Sequence, residues 1–367
     1  MKVRACLLAI GFALASCVAG PQMSDEVTAS PASPDAIKGV HHVGITVSDI
    51  DQTIAFYSAA VPFEVIERGK IPASTFPAEI LKQRTGELDV ALIRTPTVFI
   101  QLLDTDPESA AEPNRRPVEG PGYTHICFQS PSTAPKYDRF KAIGMDMLSR
   151  GDGPIDLGGY GVTYAYGYDP DGIMIEMEQL DPAVIATQGE LGRKRMQHPA
   201  WVTHVANVPG DKASMVAYYS KVLGYGPRRE IPLTRRKTID DVVDIDDVEV
   251  SASWFDTGNF ELEFWHYHKP QTPHRFTRRM MDEIGYNSVV FEVTDLAGTI
   301  ARLEPEGIVF AGETFELNGW KKRYARDPEG NLLAFQERLS APADRSIDDM
   351  LWLKDRPAPP ASTGSES

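Results

Sequence analysis

The chain repeats itself. The segment VHHVGITVSDIDQTIAFYSAAVPFEVIER, from Val40, shares its pattern with VTHVANVPGDKASMVAYYSKVLGYGPRRE, from Val202. Both read as an apolar strand, a polar turn, an amphipathic helix ending in Tyr, and a second strand. Further matches follow in order. FIQLLD at Phe99 pairs with ELEFWH at Glu261, GYTHICFQ at Gly122 with GYNSVVFE at Gly285, and DPDGIMIEMEQ at Asp169 with DPEGNLLAFQE at Asp327. The spacings agree as well. From His42 to Gln101 is 59 residues, as it is from His204 to Glu263; His42 to His125 is 83 and His204 to Ser288 is 84; His42 to Glu176 is 134 and His204 to Ala334 is 130. Anchors that keep both order and spacing mark a duplication.

Each half divides again. THICFQSPSTAPKYDRFKAIGMDMLSRG and SVVFEVTDLAGTIARLEPEGIVFAGE once more read as strand, turn, helix, strand. The unit is therefore βαβββ, used four times, and the fold class is α+β. Asp-Pro-Asp-Gly and Asp-Pro-Glu-Gly mark hairpin turns, since Pro presets φ and Gly supplies φ > 0. The expected organisation is one domain over 38–180, a linker over 181–200, a second domain over 201–339 and a mostly disordered tail over 340–367, in which RSIDDMLWL docks as a short helix. The stretch from Asp104 to Gly122 is a surface loop or lid joining two units.

With 367 residues the chain exceeds one ordinary core, and 42% apolar with 24% charged residues is a globular composition. A formal net charge of −15 excludes a phosphate backbone as partner, so no nucleic acid is expected. At the amino terminus Lys2 and Arg4 precede an apolar run from Ala5 to Ser16, of signal-peptide length and too short to stay as a membrane span. LASC, Leu14 to Cys17, resembles a bacterial lipobox. That implies a signal peptide over 1–17, lipidation of Cys17, a flexible Ser/Pro/Asp tether over 18–37, and anchoring in the cell envelope facing the periplasm. The alternative is ordinary cleavage near Ala19, giving a soluble periplasmic or secreted protein. Once Cys6 departs and Cys17 carries lipid, Cys127 has no partner, so no intramolecular disulfide is expected and Cys127 is a buried small apolar residue.

Paired and then duplicated βαβββ units, with a His early and a Glu after DPDG, resemble the vicinal oxygen chelate superfamily of glyoxalases, methylmalonyl-CoA epimerases, extradiol dioxygenases and bleomycin-resistance proteins. The resemblance covers about 38–180 and 201–339. It implies two domains, each a cupped mixed eight-stranded sheet with outer helices. It also implies a metal held by first-strand and fourth-strand residues of two units, which here are His42, Gln101, His125 and Glu176. Alternation lets these face the cup while Val43, Ile126 and Ile175 face the outer packing. Such a mixed N/O set suits one divalent ion, Fe(II), Zn, Mn, Co or Ni, and lacks the thiolates of a structural zinc site. By the same alternation His41 faces away, in a structural role or behind His42. The matching positions of the second half, His204, Glu263, Ser288 and Ala334, lack two ligands, so that half is expected to be metal-free. WHYHKPQTPH, with His266, His268 and His274, is a rival metal site without a carboxylate at fixed spacing. IDDVVDIDDVE, from Ile239, lacks the spacing of a calcium loop and reads as a solvated acidic loop.

Three functions follow for a small-molecule partner. The first is a metal-dependent lyase or isomerase, glyoxalase-like or epimerase-like, that stabilises an enolate or oxyanion; Glu87 is a candidate general base. The second is an extradiol-type Fe(II) dioxygenase, for which Tyr166 resembles the family's tyrosine behind the metal. The third is a binding protein without catalysis. Substrate, metal identity and oligomeric state stay open at this level.

Overall fold

The computed structural model describes residues 37–83, 85–105, 114–274 and 278–350. The signal peptide, Cys17, nearly all of the tether and the tail beyond 350 lie outside the described residues. Among the described residues no helix is long and apolar enough to cross a membrane.

Four βαβββ units appear in order. The first has β1 (Ile37–Thr46), α1 (Ile50–Ala60), β2 (Glu64–Pro72), β3 (Glu87–Arg94) and β4 (Phe99–Asp104). In the second, β5 (Gly122–Pro131) and α2 (Tyr137–Ala142) lead to two short strands, β6 (Asp146–Met147) and β7 (Ile155–Asp156), then β8 (Val162–Tyr168) and β9 (Met174–Leu180). Two helices, α3 (Pro182–Ala186) and α4 (Gly189–Arg195), fill the linker. The third unit has β10 (Trp201–Val208), α5 (Lys212–Leu223), β11 (Arg229–Thr234), an added α6 (Lys237–Val243), β12 (Glu249–Asp256) and β13 (Glu261–Lys269). The fourth has β14 (Gly285–Val293), α7 (Leu296–Leu303), β15 (Val309–Leu317), β16 (Trp320–Arg326) and β17 (Leu332–Arg338).

Local chemistry explains the unit. In three of the four, an Asp ends the polar turn and caps the helix: Asp49, Asp211 and Asp295 accept from the backbone N–H of Gln52, Ser214 and Gly298. The two Asp-Pro turns are hairpins, as the sequence predicts. Asp169 accepts from the N–H of Asp171 and Ile173, and Asp327 from that of Glu329 and Asn331. Gly172 and Gly330 supply φ of 78° and 84°.

The pairing of units is nested. One sheet has the order β15-β16-β17-β14-β1-β4-β3-β2, which joins the fourth unit to the first. The other runs β11-β12-β13-β10-β5-β9-β8-β6, with β7 beside β8, and joins the third unit to the second. The strands β1 and β14 meet antiparallel with Val43 opposite Val289, and β5 and β10 with Ile126 opposite Val205. Neighbouring units were expected to share sheets over 38–180 and over 201–339. Instead each of those segments contributes half of both sheets. All four leading strands carry the same apolar pattern, so the repeat defines the unit without defining its partner.

One core serves both sheets. The helices pack on the outer faces, where Val43, Ile126 and Ile175 join Phe128, Phe140, Phe264, Phe291 and Phe335 in a continuous apolar cluster. Buried polar ties cross from sheet to sheet. The Tyr286 hydroxyl accepts from Ile126 N–H at 3.1 Å and donates to Met174 C=O at 2.7 Å. Asn259 accepts from Val40 N–H and donates to the carbonyls of Val40 and Thr97. Part of the tail is packed: Ile347 is fully buried, and Ser346 donates to Glu292, which also pairs with Lys38. In place of a docked α-helix, 343–349 forms two 3-10 turns.

Candidate metal centre

The sheet of the second and third units, which are the inner pair along the chain, is the inner sheet and that of the first and fourth the outer; the hollow of the inner sheet gathers His125 of β5, Glu176 of β9, His204 of β10 and Glu263 of β13. Their ligand atoms all lie within 4.8 Å of one another. His204 Nε2 is 2.8 Å from Glu176 Oε2 and 3.1 Å from Glu263 Oε2, and His125 Nε2 is 3.6 Å from each. All four residues are at least 95% buried. Yet none of these four atoms has an aligned hydrogen bond. Atoms this close, pointing not at one another but at a common centre, are a donor set for a cation. Metal–ligand bonds of about 2.0–2.2 Å place neighbouring ligand atoms about 2.9–3.4 Å apart, and the observed separations bracket that range.

Electrostatics agrees. Burial works against the imidazolium form of His125 and His204, but Glu176 and Glu263 outweigh it and hold both rings above their ordinary value. In turn, burial would raise the two carboxyls, and the imidazoles hold both below. A divalent ion would take the place of these protons, with two carboxylates neutralising its charge and two imidazoles completing the set.

Sequence places each ligand. His125 and His204 follow a threonine in YTHI and VTHV, and Thr124 and Thr203 reach the rings' Nδ1 at 3.1 and 3.2 Å. An Nδ1–H held by the threonine oxygen leaves the Nε2 lone pair free for the cation. Glu176 and Glu263 project from central strands whose alternate residues, Ile175, Met177, Leu262 and Phe264, fill the core. Tyr166 lies on β8 opposite Glu176, its ring 4.8 Å from that of His125. Burial pushes its phenol well above the usual range, so it stays protonated. Cys127 is fully buried beside Glu176 and Glu178, and burial likewise raises its thiol.

The four expected ligands do not converge. The structure brings His125 and Glu176 together and places His42 and Gln101 in the outer sheet, because the first unit pairs with the fourth. His204 and Glu263, expected to line a metal-free half, occupy the two remaining corners. Their signal was in the sequence, since they stand where His42 and Gln101 stand in the first half. The fourth unit's counterparts of His125 and Glu176 are Ser288 and Ala334, which supply no second imidazole or carboxylate. Glu87 is exposed at the start of β3 on the outer sheet, away from the four-residue cluster. His41 was expected to face away from His42; instead a bulge between Val40 and His42 breaks the alternation, both rings line one cavity, and the two Nδ1 atoms lie 2.8 Å apart.

The rival histidines have other partners. His266 meets Pro209 C=O and His268 meets Ser251, while their rings stand 4.5 Å apart. Within the acidic run, Asp244 and Asp246 accept from Arg150, and Asp240 accepts from the N–H of Asp247 and Val248.

Two curled sheets, each built from two βαβββ units, one of them with a buried His/Glu group that could hold a metal, define a paired-unit α+β class. The chain belongs to the Glyoxalase/Bleomycin resistance protein/Dioxygenase superfamily, whose profile matches residues 39–177 and 201–335. Among solved structures it resembles glyoxalase I from Zea mays, at 15% identity and a TM-score of 0.56, covering 82% of this chain and 92% of that one. A point mutant of the same maize enzyme gives 15% identity and a TM-score of 0.57, covering 82% and 93%. A putative dioxygenase from Bacillus subtilis gives 11% identity and a TM-score of 0.53, covering 87% and 91%. No curated protein sequence matches.

Proposed function

We propose that the chain is a divalent-metal-dependent lyase or isomerase that moves a proton next to the carbonyl of a small molecule carrying two adjacent oxygens. The observation that carries this reading is the second carboxylate. Two histidines and one glutamate already suffice to hold an ion. Glu176 and Glu263, related by the symmetry of the unit pair, give the site one carboxylate to spare as a base.

A bound divalent ion would supply Lewis acidity to the two substrate oxygens. The chain does the rest. The two carboxylates flank the hollow from opposite sides, so a proton leaving the substrate carbon on one side can return to its neighbour from the same oxygen or from the facing one. The histidines keep their Nε2 atoms on the centre through Thr124 and Thr203. Tyr166 presents a neutral hydroxyl beside the site, and burial excludes bulk water from the exchanging proton.

The test is proton exchange. Full-length protein, loaded in turn with Ni(II), Zn(II), Co(II), Mn(II) or Fe(II), is incubated in D2O with a 2-oxoaldehyde–thiol adduct or a simple α-hydroxyketone. Metal-dependent deuterium incorporation at the carbon beside the carbonyl supports the reading. Tight metal binding with no exchange on any substrate of this class would leave a binding protein instead. The position of Tyr166 against His125 favours one further reading, ring cleavage by Fe(II). Oxygen uptake with catechols would establish it in place of the first.

Lys2, Arg4 and the apolar run ending at Cys17 support a lipid-anchored protein facing the periplasm. That location would keep cytosolic CoA esters out of reach as substrates. Palmitate labelling that disappears in Cys17→Ser is the expected result.

A further inference from the structure

The outer sheet has its own cavity, and it is not a second metal centre. It is lined by His41, His42, Gln101, Lys322 and Gln336, with apolar walls that include Leu92 and Trp320. It takes in His42 and Gln101, which stand in this sheet where His204 and Glu263 stand in the other. Here the chain sets a lysine where the inner sheet has Tyr164: Lys322 stands opposite Gln336, as Tyr164 stands opposite Glu178. An ammonium group at the wall repels a cation. It invites an anion.

Three atoms of the lining lack partners. His42 Nε2 and both polar side-chain atoms of Gln336 are buried without a hydrogen bond. Lys322 is 4% exposed and forms no ion pair among the described residues; its nearest opposing charge, Glu67 at the rim, is taken by Asn318 at 2.5 Å and by Arg345 at 3.7 Å. Burial lowers the lysine only to about 8, so it remains largely charged at neutral pH. A buried, unpaired ammonium beside an unsatisfied amide is costly to keep unless something binds there.

The histidine pair fixes what that ligand must offer. His41 Nε2 is 2.7 Å from Arg345 C=O, and a carbonyl only accepts, so His41 carries its proton on Nε2. Burial holds His41 neutral, and its Nδ1 is therefore an acceptor. His42 Nδ1 must then donate across the 2.8 Å contact. Burial keeps His42 neutral too, which leaves its Nε2 as an acceptor without an aligned donor, lining the cavity beside the Gln101 amide. The site thus offers one acceptor for a hydroxyl, and an ammonium and an amide N–H for an oxyanion.

We propose that the outer sheet holds a second, metal-free ligand site for a small hydroxycarboxylate, whose hydroxyl donates to His42 Nε2 and whose carboxylate accepts from Lys322 and Gln336. The apolar walls limit it to a short carbon skeleton. This site stands apart from the inner one and does not depend on the reaction assigned there.

The test uses full-length protein stripped of metal with a chelator, so that the inner cluster cannot bind the same anion through a cation. Lactate, propionate and lactamide are titrated by calorimetry or ligand-observed NMR. Lactate is expected to saturate, with propionate and lactamide each at least about tenfold weaker, because one lacks the hydroxyl and the other the charge. Lys322→Met and Gln336→Leu, each with circular dichroism matching the parent, should weaken lactate by at least about tenfold, while His204→Ala should not. Absence of saturable lactate binding, or binding unchanged in both cavity variants, would overturn the proposal. If one cavity variant fails to fold, the other decides it alone.

Discussion

His204 Nε2 and Glu176 Oε2 stand 2.8 Å apart, although one opens the third unit and the other closes the second. Two helices and a strand start lie between them along the chain. Their contact places the candidate metal centre in the inner sheet and identifies the residues that would fill it.

Substitution of either residue is expected to weaken metal loading. His204→Ala, Glu176→Ala and Glu263→Ala should each weaken affinity by more than the roughly 10–100-fold that changes behind a ligand typically cost. His42→Ala and Gln101→Ala should leave it within about twofold, since both line the other cavity. Metal stoichiometry after dialysis, with a competing chelator for the affinities, reads this directly. Loss of metal in His42→Ala would refute the assignment.

Glutamine in place of a carboxylate separates holding from reacting. An amide oxygen still ligates, but it accepts no proton at neutral pH. Glu176→Gln and Glu263→Gln are expected to retain some metal, and at least one should lose proton exchange by about 10²–10⁴-fold. Comparing exchange rates at equal metal occupancy shows which side of the hollow carries the base.

Much of this architecture could be read from residues alone. The repeat revealed four βαβββ units, the Asp-Pro turns located their last hairpins, and alternation put Val43, Ile126 and Ile175 on the apolar side. His125 and Glu176 were identified by position. His42 and Gln101 were identified by the same rule, and they show its limit. Position within a unit depends on local pattern, whereas the partner of a unit depends on which leading strands meet edge to edge. Four near-identical strands give no local sign of that choice. Ser288 and Ala334 were the available clue, because a unit that has lost its ligands must sit opposite another with no ion to hold. The bulge at His41 had no sequence signature at all.

Tyr286 ties the sheets together through its hydroxyl. Tyr286→Phe keeps the ring and leaves Ile126 N–H and Met174 C=O without that partner. Each orphaned group costs about 1–3 kcal/mol, so a loss of that order is expected in denaturant unfolding. The metal content of the folded fraction should be unchanged.

Asp327 gives the stability a pH dependence. Burial raises its carboxyl to about 7, against the bonds from Asn331 and Glu329 that favour the anion. Its folded value thus lies above its unfolded one. Its contribution is fully present below about pH 4 and is lost as pH rises through 7, by an amount on the order of 4 kcal/mol. Relative to Asp327→Asn, the parent should therefore lose stability between pH 4 and 7 and run parallel above it. Equal pH slopes for the two proteins would contradict this.

The nesting of the units sets an order in which the sheets can close as the chain emerges. The middle pair is contiguous, so everything the metal needs has emerged once β13 is made. The opening unit must wait far longer, because β1 finds its edge partner only when β14 appears, and Glu292 clasps Lys38 and Ser346 only near the end. Until then β1 and β4 present a bare, apolar ribbon to the surroundings. The strands β1 and β4 thus come early in the sequence yet are covered late, and until β14 arrives the open edge of β1 is a place where another chain could pair.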